Sequence, residues 1–142
     1  IFTFNARLKG RMMKPLILIL CLFISCSVWA ETTKNMPVAI NWLQLIDAGE
    51  YTKSWQQADA LFKSQLSKAN WKNALNTVRA PLGKVATREQ ISANAYSSLP
   101  GAPQGKYLIV QFKTQFSARL AVETLTLSKS SGQWRAVGYF IK

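Results

Sequence analysis

The chain has 142 residues, with 18 Lys and Arg against 6 Asp and Glu, two cysteines and no histidine. That length suits one domain. The lack of histidine excludes Ser–His and Cys–His nucleophile pairs and His-ligated zinc. At 49% hydrophobic and 17% charged, the composition is that of a folding chain and not of a disordered tail.

Residues 1–11 (IFTFNARLKGR) precede a methionine pair and read as an upstream extension. Met12–Ala30 (MMKPLILILCLFISCSVWA) reads as a secretory signal peptide: Lys14 near the start, an apolar run from Leu16 to Ile24, and Val28 and Ala30 as the small-x-small exit. The run is too short to span a bilayer, which takes about 20 apolar residues. Cleavage after Ala30 leaves 14 basic against 6 acidic residues, a net charge of +8, and removes Cys21 and Cys26. The expectation is export to the periplasm as one domain over residues 31–142, without disulfide or thiolate chemistry. An alternative uses Phe23-Ile24-Ser25-Cys26 as a lipobox, with Phe in place of the usual Leu. Acylation at Cys26 would tether the domain to the envelope membrane without spanning it.

The body reads as helices followed by strands. Pro37 suits the first turn of a helix. That helix carries Val38, Trp42, Leu45 and Ile46 on one stripe and stops at Gly49. Tyr51, Trp55, Ala58 and Phe62 fall on one face of a second helix. Ser67 caps a third, which aligns Trp71, Leu75 and Val78 and ends near Arg79 because Pro81 opposes continuation. After Gly83 the period changes to two. The predicted strands are 84–96, 106–116, 119–127 and 133–142, with turns at 97–105 and 128–132. The second strand is apolar on both faces at its start and should lie centrally. The fold class is therefore α+β, with three N-terminal helices packed on a curved antiparallel four-stranded sheet.

A pairing of Leu127 with Gln133 places Leu120, Val122, Thr124 and Thr126 with Phe140 and Trp134 on the helix-facing side. Glu123 then falls on the other face, diagonal to Arg135 and Tyr139. Two readings follow for it. One is a partly exposed cross-strand ion pair; the other is a desolvated carboxylate in a sheet cavity, serving as base or ligand clamp. Arg79 and Arg88 flank the turn Arg79–Gly83, where they would bind an anion, cap carbonyls or pair with acids. Asp47, Glu50 and Asp59 read as solvated helix acids. There is no Gly-rich phosphate loop and no Ser nucleophile elbow. No catalytic residue, metal ligand or cofactor is assigned.

The residues from Asn41 to Trp71, the turn Arg79-Ala80-Pro81-Leu82-Gly83, Arg88, the loop Ser98–Pro103, Val122-Glu123-Thr124 and the ending Gln133-Trp134-Arg135 with Gly138–Ile141 together resemble the bacterial exported "domain of unknown function 4019" family. The resemblance covers nearly all of residues 38–142. It implies a cone-like fold similar to nuclear transport factor 2, with Arg79, Arg88, Glu123 and Arg135 at recurring positions, and no assigned activity. The expected function is a non-enzymatic periplasmic binding or interaction module, its candidate ligand contacts being Glu123, Arg135, Tyr139, Arg79 and Arg88. The alternatives are a small cone-fold isomerase or hydrolase with Glu123 as base, and an envelope lipoprotein held through Cys26. The expected partners are a small molecule or envelope protein, an anionic envelope surface, or a second copy through the sheet face. Nucleic acid is not among them, because the basic residues are scattered and no recognition motif occurs.

Overall fold

A computed structural model describes the backbone of residues 22–142 and the side chains from residue 34 onward. The extension at 1–11, most of the leader and the side chain of Cys26 lie outside these residues. Helix α1 (Leu22–Asp47) is followed by α2 (Tyr51–Gln57), α3 (Ala60–Gln65), α4 (Lys68–Val78) and a 3₁₀ turn (Ala80–Leu82). Strands β1 (Val85–Tyr96), β2 (Tyr107–Phe116), β3 (Leu120–Ser128) and β4 (Arg135–Ile141) complete the domain as an antiparallel sheet in the order β1-β2-β3-β4. Among the described residues, no helix is long and apolar enough to cross a membrane.

The helical layer departs from its sequence pattern at three points. Pro37 lies inside α1 and does not start it. It is exposed, and its missing N–H leaves one helical hydrogen bond of the preceding turn unmade. The second predicted helix is two helices, broken at the extended residues Ala58 and Asp59. The Asp59 carboxylate accepts from the N–H of Leu61 and so caps α3, while its own N–H donates to the Ala136 carbonyl at 2.7 Å. A bond to β4 has replaced one helical bond, yet Tyr51, Ala58 and Phe62 all still reach the core. The third departure is Val78, which is exposed although it continues the stripe of Trp71 and Leu75. The Ser67 cap on α4 forms as predicted, accepting from the N–H of Asn70.

The main core lies between the helices and one face of the sheet. Leu43, Ile46 and Trp71 meet Val110, Phe112, Leu125 and Leu127 there. A smaller cluster of Leu82, Phe116 and Ala121 closes one end of the sheet. Burial of each large apolar side chain contributes roughly 1.5–3 kcal/mol, so these two clusters supply most of the driving force. The central placement of β2 follows from its apolar run. Strand β1 is a mostly exposed edge with two register irregularities, which accounts for its weak alternation in sequence.

The β3–β4 hairpin corrects the predicted register. Ser128 pairs with Arg135 and Leu127 with Ala136, then a bulge at Val137 shifts the pairing to Thr126–Gly138, Leu125–Tyr139 and Glu123–Ile141. The loop is longer than its local sequence suggests because it is tied to other elements. Ser130 donates to the Asp59 carboxylate at 2.8 Å, and the Lys129 N–H donates to the Lys106 carbonyl. The helix-facing side is also the opposite of the one expected. Ala121, Glu123, Leu125 and Leu127 face the helices, while Leu120 and Phe140 stand 48% and 52% exposed on the outer face.

Candidate functional site

Every strand and two helix ends contribute to one charged cluster. Arg88 of β1 and Thr114 of β2 are register partners, so their side chains rise from the same face. Glu123 of β3 and Tyr139 of β4 share that face. Asp47 is the last residue of α1, and Arg79 is the C-cap of α4.

Glu123 is fully buried, at 0% exposure, and both of its oxygens are engaged. Oε2 accepts from Arg88 Nε at 2.7 Å and Thr114 Oγ1 at 2.5 Å; Oε1 accepts from Arg88 Nη2 at 3.2 Å and Tyr139 Oη at 2.5 Å. The same Arg88 donates to both oxygens of Asp47, at 2.8 and 2.9 Å. Arg79 adds a third bond to Asp47 at 3.0 Å and caps the Gly83 carbonyl at 2.7 Å. Its guanidinium also lies 4.5 Å from the centre of the Phe116 ring.

Two guanidinium groups thus balance two carboxylates. A negative Asp47 at the C-terminus of α1 would by itself oppose the helix dipole, and the two arginines offset this. Burial disfavours the Arg88 charge, but its bonds to Asp47 and Glu123 outweigh burial and raise its pKa above the ordinary guanidinium value. Burial, followed by the adjacent Glu123 charge and hydrogen bond, raises the Tyr139 phenol well above its usual value of 10.0. Tyr139 therefore stays a protonated donor.

The structure thus brings together four of the five predicted ligand contacts: Arg79, Arg88, Glu123 and Tyr139. Glu123 is not a partly exposed ion pair: it is a desolvated carboxylate whose two oxygens are held by Arg88, Thr114 and Tyr139. It is a closed clamp. Arg135 is elsewhere, because the bulge at Val137 puts Ala136, and not Arg135, on the Glu123 face. Asp47 and Thr114 were not anticipated as members. Contrary to the sequence expectation of solvated helix acids, Asp59 is buried and Asp47 is doubly paired; Glu50 does pair at the surface, with Lys53.

Arg135 instead lines a groove of about 290 Å³ between α1, the end of α2 and the start of β4. Trp42 is a buried residue at its base, Trp134 is half-buried, and Asn41, Gln57 and Gln133 are exposed at its edge. No sequence pattern marks this groove, since its amides come from three separate elements. Among the described residues, no group of three or more Cys, Asp or Glu side chains is placed to hold a metal ion.

No curated protein matches this chain. A family profile described as "Protein of unknown function (DUF4019)" matches residues 38–139, which include the whole charged cluster and the groove. The match covers well over half of the chain, and the protein belongs to the DUF4019 family.

Proposed function

We propose that this protein is an exported, non-enzymatic binding module on a cone-like frame resembling nuclear transport factor 2, and that it holds its ligand in the groove beside Arg135. The observation that carries this reading is the saturation of Glu123. A general base needs a free lone pair within reach of the proton it removes. Both Glu123 oxygens already accept two hydrogen bonds each, from donors on β1, β2 and β4. Catalysis through Glu123 would require a buried Arg88 clamp to open, leaving an uncompensated charge. The groove, in contrast, offers an arginine, three amides and the half-buried Trp134 indole at an open surface, above the buried Trp42. The leader pattern and the +8 charge of residues 31–142 support export and attraction to an anionic envelope.

Native mass spectrometry of protein purified from the periplasm of its own cells tests this. The expected spectrum shows an N-terminus at Glu31 and a fraction carrying a small added mass. An uncleaved cytosolic protein overturns the export reading. Retention in the membrane fraction that Cys26→Ala abolishes replaces the soluble form with the lipoprotein.

A further inference from the structure

The groove has a composition that selects among ligands. Arg135 presents five N–H donors in a planar fork. Its contacts are to two neutral acceptors at the long limit, the Gln57 carbonyl and Gln133 Oε1, both at 3.4 Å. No carboxylate among the described residues forms an ion pair with it. Arg79 and Arg88 differ sharply, because each is committed to an acid at 3.0 Å or less. Beside Arg135 stands the Trp134 indole, with the Lys129 ammonium 6.0 Å from its centre. None of the residues lining the groove is acidic.

We infer that this groove is a carboxylate-binding site. Its ligand is a small acid with a flat or branched apolar body, free or as the C-terminal residue of a peptide. This rests on the binding-module reading above. Arg135 would take the carboxylate through two parallel N–H···O bonds. The body would lie against Trp134 over Trp42, and the amides of Asn41, Gln57 and Gln133 would satisfy a neighbouring amide or hydroxyl. Size and charge both narrow the class. A volume of about 290 Å³ falls just below the roughly 300–1,000 Å³ typical of ligand pockets, so it suits one or two residues and not a nucleotide. A phosphate dianion calls for more donors, commonly a helix N-terminus. The helical lining residues here are interior positions of α1 and the last residue of α2.

The test follows the indole N–H resonance of Trp134, assigned with Trp134→Phe, during titration of the whole protein. The probes are sodium benzoate, acetyl-Ala-Ala-Leu with a free C-terminus, the same peptide as its C-terminal amide, and sodium phosphate. Saturable shifts are expected with benzoate or the free-acid peptide, and whichever binds more tightly identifies the source. The amide should bind at least about tenfold more weakly, since it lacks the charge that strengthens the Arg pair. Arg135→Gln should show the same loss and Arg135→Lys only part of it, with unfolding midpoints near wild type because both hydrogen bonds of Arg135 are long, at 3.4 Å, and go to neutral acceptors. Equal binding of acid and amide, or binding indifferent to Arg135→Gln, overturns the carboxylate assignment. So does saturation by phosphate alone, which would still leave a ligand-binding groove. Failure of every probe overturns the assignment, while the native mass spectrum separately decides whether the module carries another ligand.

Discussion

Arg88 donates two hydrogen bonds to Glu123, at 2.7 and 3.2 Å, across a sheet in which β1 and β3 are not neighbours. The pair spans β2, and Thr114 of that strand fills the gap by donating to the same carboxylate. One guanidinium therefore binds strand to strand and, through Asp47, the sheet to α1. The site that most resembles an acid–base centre in sequence thus ties three strands and a helix together through hydrogen bonds.

The two partners should not be equivalent. Arg88→Met leaves Glu123 fully buried without its counter-charge and should cost about 3–5 kcal/mol. Glu123→Gln leaves Arg88 its bonds to Asp47 and should cost about 1–3 kcal/mol. Combining Arg88→Met with Glu123→Leu should cost less than the single Arg88→Met change, because no unpaired charge stays buried. Urea unfolding of the three variants checks the order; equal single costs, or a double variant less stable than Arg88→Met alone, would contradict the charge pairing.

The raised phenol of Tyr139 gives an alkaline limit to stability. A group whose folded pKa lies above its unfolded value stabilises fully below the unfolded value and loses that contribution as pH rises further. Wild-type stability should therefore decline above pH 10, the ordinary phenol value. Tyr139→Phe should be less stable at pH 8 because Glu123 loses a donor, and should decline less above pH 10. Urea midpoints from pH 8 to 11 read this directly. A parallel decline in both proteins would place the titration on another group.

Asp59 couples three elements: it caps α3, accepts from Ser130 and donates its backbone N–H to Ala136. Asp59→Ala should cost about 1–2 kcal/mol for the cap alone. Ser130→Ala should cost about 1 kcal/mol and speed amide exchange in residues 129–134. If exchange in that loop is unchanged, the hairpin is not anchored through Asp59.

Gly83 occupies φ 77° and ψ −153°, a region open in practice only to glycine. An added Cβ would stand 3.1 Å from Ser117 Cβ. Gly83→Ala should then cost about 1–3 kcal/mol, seen as a lower thermal midpoint, with ligand binding unchanged. Backbone geometry thus accounts for the glycine of the Arg79–Gly83 turn, and Arg79 is there to cap it and hold Asp47.

Much of the fold could be read locally. The Ser67 cap, the stop at Gly49 and the change of period after Gly83 each act within a few residues, so periodicity finds them. The Asp59 break could not be read, because the acceptor that competes with helical continuation lies on Ala136. The buried face of β3 is illegible in sequence for a related reason. Both of its faces carry apolar or Thr side chains, and the one carboxylate pointed the choice toward solvent. Glu123 goes inside because Arg88, 35 residues away, supplies its counter-charge, and Thr114 and Tyr139 supply further donors there.

The order and type of the elements were set by sequence alone, since propensity, capping and hydrophobic period are short-range effects. Tertiary structure decided the pairing register, the buried side of β3 and the separation of Arg135 from the charged cluster. Those depend on bonds between distant residues, and a single bulge at Val137 reverses which side chains share a face.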